Sequence, residues 1–422
     1  MPPTPDAVPA PSGGSGAAPV VGTDRDRADA CPGALRLHRA EDGHLARLRL
    51  PGGLLTARQV HAIADAADAL GDGEVEVTSR GNVQLRGLRD DCGAELAARL
   101  RTAGLLPSDT HERVRNVVAS PLAGLDGLGH GDEVHTWVRE LDAALCAARW
   151  AAGLSGKFLF AVDDGRGDVA ALNADVTLIA TGGGRALLRL GRARRGTPVD
   201  APVAAALDAA RKFLALARGR AWHVREVQDE LPDGAVELPE FAGRPPALGV
   251  VGDAVSVGLR FGRADSAQWR LLAEAPASGG PGGAAVRVTP WRGVVVPGAG
   301  AGWLERFAAA GFRTEPGGPW EGLSACTGLP GCGKSLADVR ADAARTATAG
   351  GLPVHWSGCE RRCGHPAGRW VDVLATGGGG YRVTVDGTAR DVPGPGADDA
   401  EDDTELAAAL AEARNAEARR AK

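Results

Sequence analysis

The apolar positions of this chain change period in a repeating order. Ala46, Leu48 and Leu50 alternate with arginines, which predicts a strand. Val60, Ile63, Ala67 and Leu70 then recur every three or four positions, one face of a helix that opens at Thr56 and stops at Gly71. Alternation returns across residues 74–87 (EVEVTSRGNVQLRG), read as one strand, and a second helix ends in LRTAGL at 100–105. The series then starts again. VGLRF at 257–261 precedes a helix opened by Asp265 with Trp269 and Leu272, then VRVTPWRGVVVP at 286–297 and FAAAGF at 307–312. Thr78 and Thr289 mark the two copies, 211 positions apart. The segments that follow also echo each other, VTLIATGGGRALLRL at 176–190 and VDVLATGGGGYRVTV at 371–385. The layout is A–B–A′–B′, an internal duplication.

This pattern predicts an α+β protein. Segments 31–106 and 246–315 are compact strand–helix–strand–helix halves, and segments 107–231 and 316–391 are larger modules, with a linker near Pro232 to Pro246. Residues 1–30, rich in Pro, Ala, Gly and Asp, are expected to be disordered. The acidic tail, 392–422, is expected to be solvated, with a short helix at 405–421 that lacks a strong apolar stripe. With 44% hydrophobic residues in 422, an ordinary buried core is available. A net charge of −5 without a basic tail argues against nucleic-acid binding. The best apolar run, 248–259, is broken by Asp253 and falls short of the ~20 residues of a membrane span. No secretion signal is evident, so a soluble cytoplasmic protein is expected.

Seven cysteines, an odd number, argue against a disulfide framework. Cys31, Cys92 and Cys146 read as packing thiols. Cys326, Cys332, Cys359 and Cys363 crowd together as C-x5-C and C-x3-C. Four thiolates suit structural zinc or a [4Fe–4S] cluster, and the wide first spacing favours the larger object. Gly328, Gly331, Gly333, Gly358 and Gly364 allow close backbone approach and N–H donation to sulfur. The same stretch, GLPGCGKS at 328–335, satisfies the phosphate-loop pattern, but it lacks a preceding apolar run and contains a cysteine of the quartet.

A second group is basic. Arg80, Asn82, Gln84 and Arg86 are expected on one face of the first alternating strand. Arg113, Arg115 and Asn116 precede a turn-rich loop, and Lys157, one of only four lysines, sits in LSGKFLFAVDD. Several cations from separate segments, converging beside a redox cluster, would suit a polycarboxylate ligand, which guanidinium binds in a bidentate fork.

TSRGNVQLRG, the RNVVASPLAG loop, the GKF strand and the two cysteine pairs occur together in an order that resembles the sirohaem-dependent nitrite and sulfite reductases. The resemblance implies two ferredoxin-like half-domains alternating with two larger α/β modules. It also implies cluster ligation by the four cysteines, with Cys363 bridging to a sirohaem iron, and Arg80, Arg115 and Lys157 on the active-site face. The chain departs from the reductases where they carry a polar residue two positions after the lysine; here that is Leu159. It also has Arg80-Gly81-Asn82 in place of a bulkier phrase. The stretch ACPGALRLHRAEDGHLARLRL at 30–50 is instead similar to the opening of the precorrin-3B synthase branch of the family. That branch implies an iron–sulfur monooxygenase of the aerobic cobalamin pathway. It hydroxylates the tetrapyrrole precorrin-3A at C20, with the ring A acetate closing a γ-lactone. It consumes O2 and takes electrons from an external NAD(P)H-linked donor. A mononuclear non-haem iron is a further cofactor of this reading, with His355 and His365 as candidate ligands or supports. The alternative is a sirohaem-dependent nitrite or sulfite reductase, and only then would sirohaem be bound. A non-enzymatic iron–sulfur carrier is the third reading.

Overall fold

The computed structural model describes residues 31–131, 133–275, 283–366, 368–395 and 400–416. The segment expected to be disordered, 1–30, lies outside the described residues.

Two small sheets carry the first repeat. In one, strands run in the order His38–Ala40, Gly43–Leu48, Val83–Leu88, Glu74–Val77 and Arg263–Asp265. In the other, the order is Gly249–Val251, Ala254–Gly258, Gly293–Pro297, Val286–Val288 and Leu54–Leu55. Each copy thus lends its edge strand to the other: Arg263–Asp265 pairs with Glu74–Val77, and Leu54–Leu55 pairs with Val286–Val288. The two copies share one core, in which Val60, Ile63 and Leu100 meet Trp269, Leu272 and Phe307.

The duplication is legible atom by atom. Helix Ala57–Leu70 opens with a reciprocal cap between Thr56 and Gln59, and helix Ser266–Glu274 opens with the same cap between Asp265 and Gln268. Both glutamines then reach across to the end of the second helix of their copy, Gln59 donating to Ala103 O and Gln268 to Ala310 O. The alternating stretches are hairpins rather than single strands. Thr78 Oγ1 accepts the N–H groups of Arg80 and Asn82, and Thr289 Oγ1 accepts those of Trp291 and Gly293. Alternation continues on both sides of such a turn, so hydropathy period alone does not reveal it. Arg80 consequently sits in the turn, and does not share one strand face with Asn82, Gln84 and Arg86.

The larger modules are also duplicates. Three parallel strands, Val117–Ala119, Phe160–Asp163 and Val176–Gly182, continue into antiparallel Arg185–Leu190 and Arg195–Val199. In the second module the parallel strands are Leu323–Ala325, Val354–Ser357 and Val371–Ala375, followed by Tyr381–Val385 and Thr388–Val392. The linker adds Val236–Glu237 to the edge of the first module's sheet. Helices Val134–Ala147 and Pro202–Ala217 cover one face there, with Phe213 of the second helix packed on Phe158 beside Phe160.

The acidic tail departs from expectation. Helix Ala400–Arg414 packs on the second module through Leu406, Ala409, Leu410 and Ala413, all buried. The stripe is half alanine, so its hydropathy is weak although its spacing is helical. Arg414 closes the helix, its guanidinium donating to the carbonyls of Leu352, Thr348, Glu321 and Gly350.

Candidate functional site

The four cysteines gather at the carboxyl ends of the second module's parallel strands, where open α/β sheets place ligands. Cys326 directly follows Leu323–Ala325, and Cys359 and Cys363 lie in the loop after Val354–Ser357. Gly358 N–H donates to Cys326 Sγ at 3.3 Å, as the glycine-rich surroundings suggested. Burial, then the neighbouring sulfurs of Cys326, Cys359 and Cys332, push the Cys363 thiol above its ordinary value. Four cysteine thiols brought to one cluster of loops are a soft donor set that fits a metal centre.

The first half-domain grips this module. Arg86 donates to Gly331 O at 3.1 Å while forming a bidentate pair with Asp42. Arg340 donates to Cys326 O at 3.1 Å and pairs with Glu76 at 2.6 Å. The phosphate-loop pattern makes no nest here: Ser335 spends its hydroxyl on Ala337 O and Lys334 is exposed, although a short strand does precede the loop. His355 is buried, with Nδ1 2.9 Å from Ser324 Oγ. Burial, then the charge of Arg292, lowers its pKa to about 4. Its Nε2 makes no hydrogen bond of normal geometry, although it faces the Cys363 main chain. His365 is exposed and stacks on Trp370.

The basic group divides into two sets. Arg80 donates to Lys157 O at 2.9 Å, and Lys157 Nζ stands 3.5 Å from the centre of the Trp222 ring, both side chains half-buried. These two are brought together. Arg115 is not a free clamp: it is buried, bidentate to Asp142 at 2.7 Å, and donates to Leu105 O. Arg86 is likewise engaged by Asp42, and Gln84 lies between Arg47 and Glu76. Asn82 and Asn116 are fully buried and bonded to each other at 2.8 Å, joining half-domain to module. Each of these five has hydrogen-bond partners inside the protein.

Sequence reasoning missed Arg47 and Arg49, the polar positions of the first strand. Burial, then mutual repulsion, lowers Arg49 to about 10. It also missed Trp291, which packs with Leu159, Val118, Ala161 and Val169 on the sheet face away from the helices. Leu159 is 8% exposed, part of an apolar wall.

The first module reproduces the cysteine loops without cysteine. Ser120 N–H donates to Val162 O as Cys326 N–H donates to Trp356 O. Asp164 N–H donates to Ser120 Oγ as Gly358 N–H does to Cys326 Sγ. Ser120 therefore takes the place of Cys326. The adjoining loop holds Asp163, Asp164 and Asp168, all buried, with Arg166 paired to Asp164. Burial, then the charge of Asp163, raises Asp168 to about 7.

Comparison with known proteins agrees with this architecture. Residues 38–103 match the nitrite/sulfite reductase ferredoxin-like half domain. Over 400 residues the chain is 28% identical to a precorrin-3B synthase of Sinorhizobium sp, covering 87% of this chain and 84% of that protein. It is 35% identical over 128 residues to a ferredoxin–nitrite reductase of Synechococcus elongatus, a match spanning 29% of this chain and 25% of that enzyme. The NirA protein of Mycobacterium tuberculosis has a similar structure, with a TM-score of 0.58 at 22% identity, covering 83% of this chain and 77% of that one. The chain thus has the internally duplicated nitrite/sulfite reductase-like fold, as expected, and resembles precorrin-3B synthase over most of its length. No helix among the described residues is long and apolar enough to cross a membrane.

Proposed function

We propose that the chain is a precorrin-3B synthase-like monooxygenase, converting precorrin-3A with O2 and externally supplied electrons into a C20-hydroxylated γ-lactone. The observation that carries this reading is the likeness to precorrin-3B synthase along 87% of the chain, whereas likeness to the nitrite reductase is confined to about a quarter of that enzyme. Cys326, Cys332, Cys359 and Cys363 would hold a [4Fe–4S] cluster, which supplies electrons singly when bound. Arg80 and Lys157, brought together by the Arg80 bond to Lys157 O, would bind carboxylates of the macrocycle. The wall of Leu159 and Trp291 would pack the body of the ring and exclude water. That wall disfavours sulfite or nitrite, because a small anion loses hydration there without compensation.

Anaerobically purified protein tests the cofactor assignment. Stoichiometric iron and sulfide with a broad visible shoulder is expected, without the strong bands of sirohaem. Serine at Cys326, Cys332, Cys359 or Cys363 should abolish iron binding and destabilise the second module, since metal binding is coupled to folding. Full iron and sulfide in two or more of these variants would contradict the ligand set.

A further inference from the structure

The turn at Thr78 and its repeat at Thr289 share the bonds to the threonine hydroxyl although the residues between differ, and at one position a side chain stands where the first copy has glycine. Gly81 in the first copy has φ +63, and its counterpart Arg292 keeps a left-handed φ of +57. A side chain disfavours that conformation, so a non-glycine held there calls for a reason. Space has been cleared for it: a Cβ on Gly262 would lie 2.9 Å from Arg292 Cδ. The guanidinium extends to the cysteine loop, where a Cβ on Gly364, the residue after Cys363, would lie 3.5 Å from Arg292 Nη2. His355 Cε1 lies 4.0 Å from the same point. Glu76 attracts this charge through space and Arg340 repels it, but among the described residues no hydrogen bond or ion pair engages it. A half-buried cation reaching the loop that carries Cys363 is complementary to a centre whose thiolates carry net negative charge.

We propose that Arg292 is a positioning residue for the iron–sulfur centre, setting its reduction potential through the Cys363 loop. The proposal rests on the cluster assignment above. A fixed positive charge favours the reduced, more negative state, so removing it makes the centre harder to reduce. Arg292→Gly restores the residue that the first copy uses in this turn, which removes charge without disturbing the backbone.

Redox titration followed by EPR tests this on anaerobically purified full-length protein, with iron and sulfide measured on each sample. In Arg292→Gly with full iron and sulfide, the reduced-to-oxidised ratio at fixed poise should fall about tenfold, about 59 mV for a one-electron couple. Arg292→Lys should recover most of the shift. If the glycine variant loses iron, Arg292→Gln, which keeps the stem, is read in the same way. An unchanged potential in a cluster-replete neutral variant overturns the proposal, as does an unchanged potential accompanied by weaker tetrapyrrole binding, which would assign Arg292 to the substrate. Wild-type protein without iron and sulfide instead overturns the cluster reading on which both depend.

Discussion

Asp168 shows how one residue's surroundings set a measurable property. Asp163 accepts N–H groups from Gly165, Gly167 and Ala170, and Asp164 pairs with Arg166. Asp168 has Ser120 Oγ–H and Val169 N–H, but lies against two carboxylates, and it takes the proton. Its folded value, pushed up to about 7, lies above the unfolded one, so the native state binds the extra proton between roughly pH 4 and 7. That contribution is fully present below pH 4 and is lost as pH rises through 7. Asp168→Asn retains the acceptor and should therefore be more stable than wild type at pH 8, by about 1–3 kcal/mol, and equal to it near pH 4. Thermal unfolding at the two pH values checks the sign, and a variant less stable at pH 8 would refute it. At the same scale, Arg80→Ala or Lys157→Ala should weaken tetrapyrrole binding by about 1.5–3 kcal/mol with the iron content unchanged. Isothermal titration would show this, and undiminished affinity in both would remove them from the clamp. The sequence announced both residues through their motifs. It could not announce that Asp142 neutralises Arg115 or that Asp42 engages Arg86, because those carboxylates approach from other segments.

Elements were legible where period and punctuation agreed, and obscure where one of them was silent. Thr56 and Asp265 opened helices as their caps dictate. The hairpins read as strands because short turns, at 79–82 in the first copy and 290–293 in the second, join two alternating runs. The tail helix was underrated since Ala409 and Ala413 carry little hydropathy, yet they let the helix approach the sheet closely. That packing has a cost when removed: Leu410→Ala should destabilise the protein by about 2–4 kcal/mol. Urea unfolding would measure it, and a change below about 0.5 kcal/mol would mean that the helix is only loosely held. A buried charge plays a matching part in each copy. Arg287, 1% exposed, donates to Pro121 O and Ala123 O, while Glu76, at the same position of the first copy, holds Arg340 against Cys326 O. One strand position thus secures the loop after the leading strand of each module, with the sign of charge reversed.

At the scale of the whole molecule, duplication explains both what the sequence disclosed and what it withheld. The A–B–A′–B′ order followed from two constant spacings, but the exchange of edge strands did not, since Leu54–Leu55 and Arg263–Asp265 are too short to show a period. That exchange merges two half-domains into one core and fixes the positions of the modules around it. The copies diverge at the candidate site, with cysteine where the twin has Ser120, arginine where the twin has Gly81, and tryptophan where the twin has Arg80. An apolar wall around Leu159 and the half-buried pair Arg80 and Lys157 would together suit a macrocycle bearing carboxylates, which is the central claim. It is tested most directly by incubating cluster-replete protein with precorrin-3A, an electron donor and labelled O2, and analysing the product by mass spectrometry. The account predicts O2-dependent product carrying label in its hydroxyl, and negligible reduction of sulfite or nitrite by the same preparation. Robust sulfite or nitrite turnover by protein carrying sirohaem, or product oxygen derived from water, would contradict it.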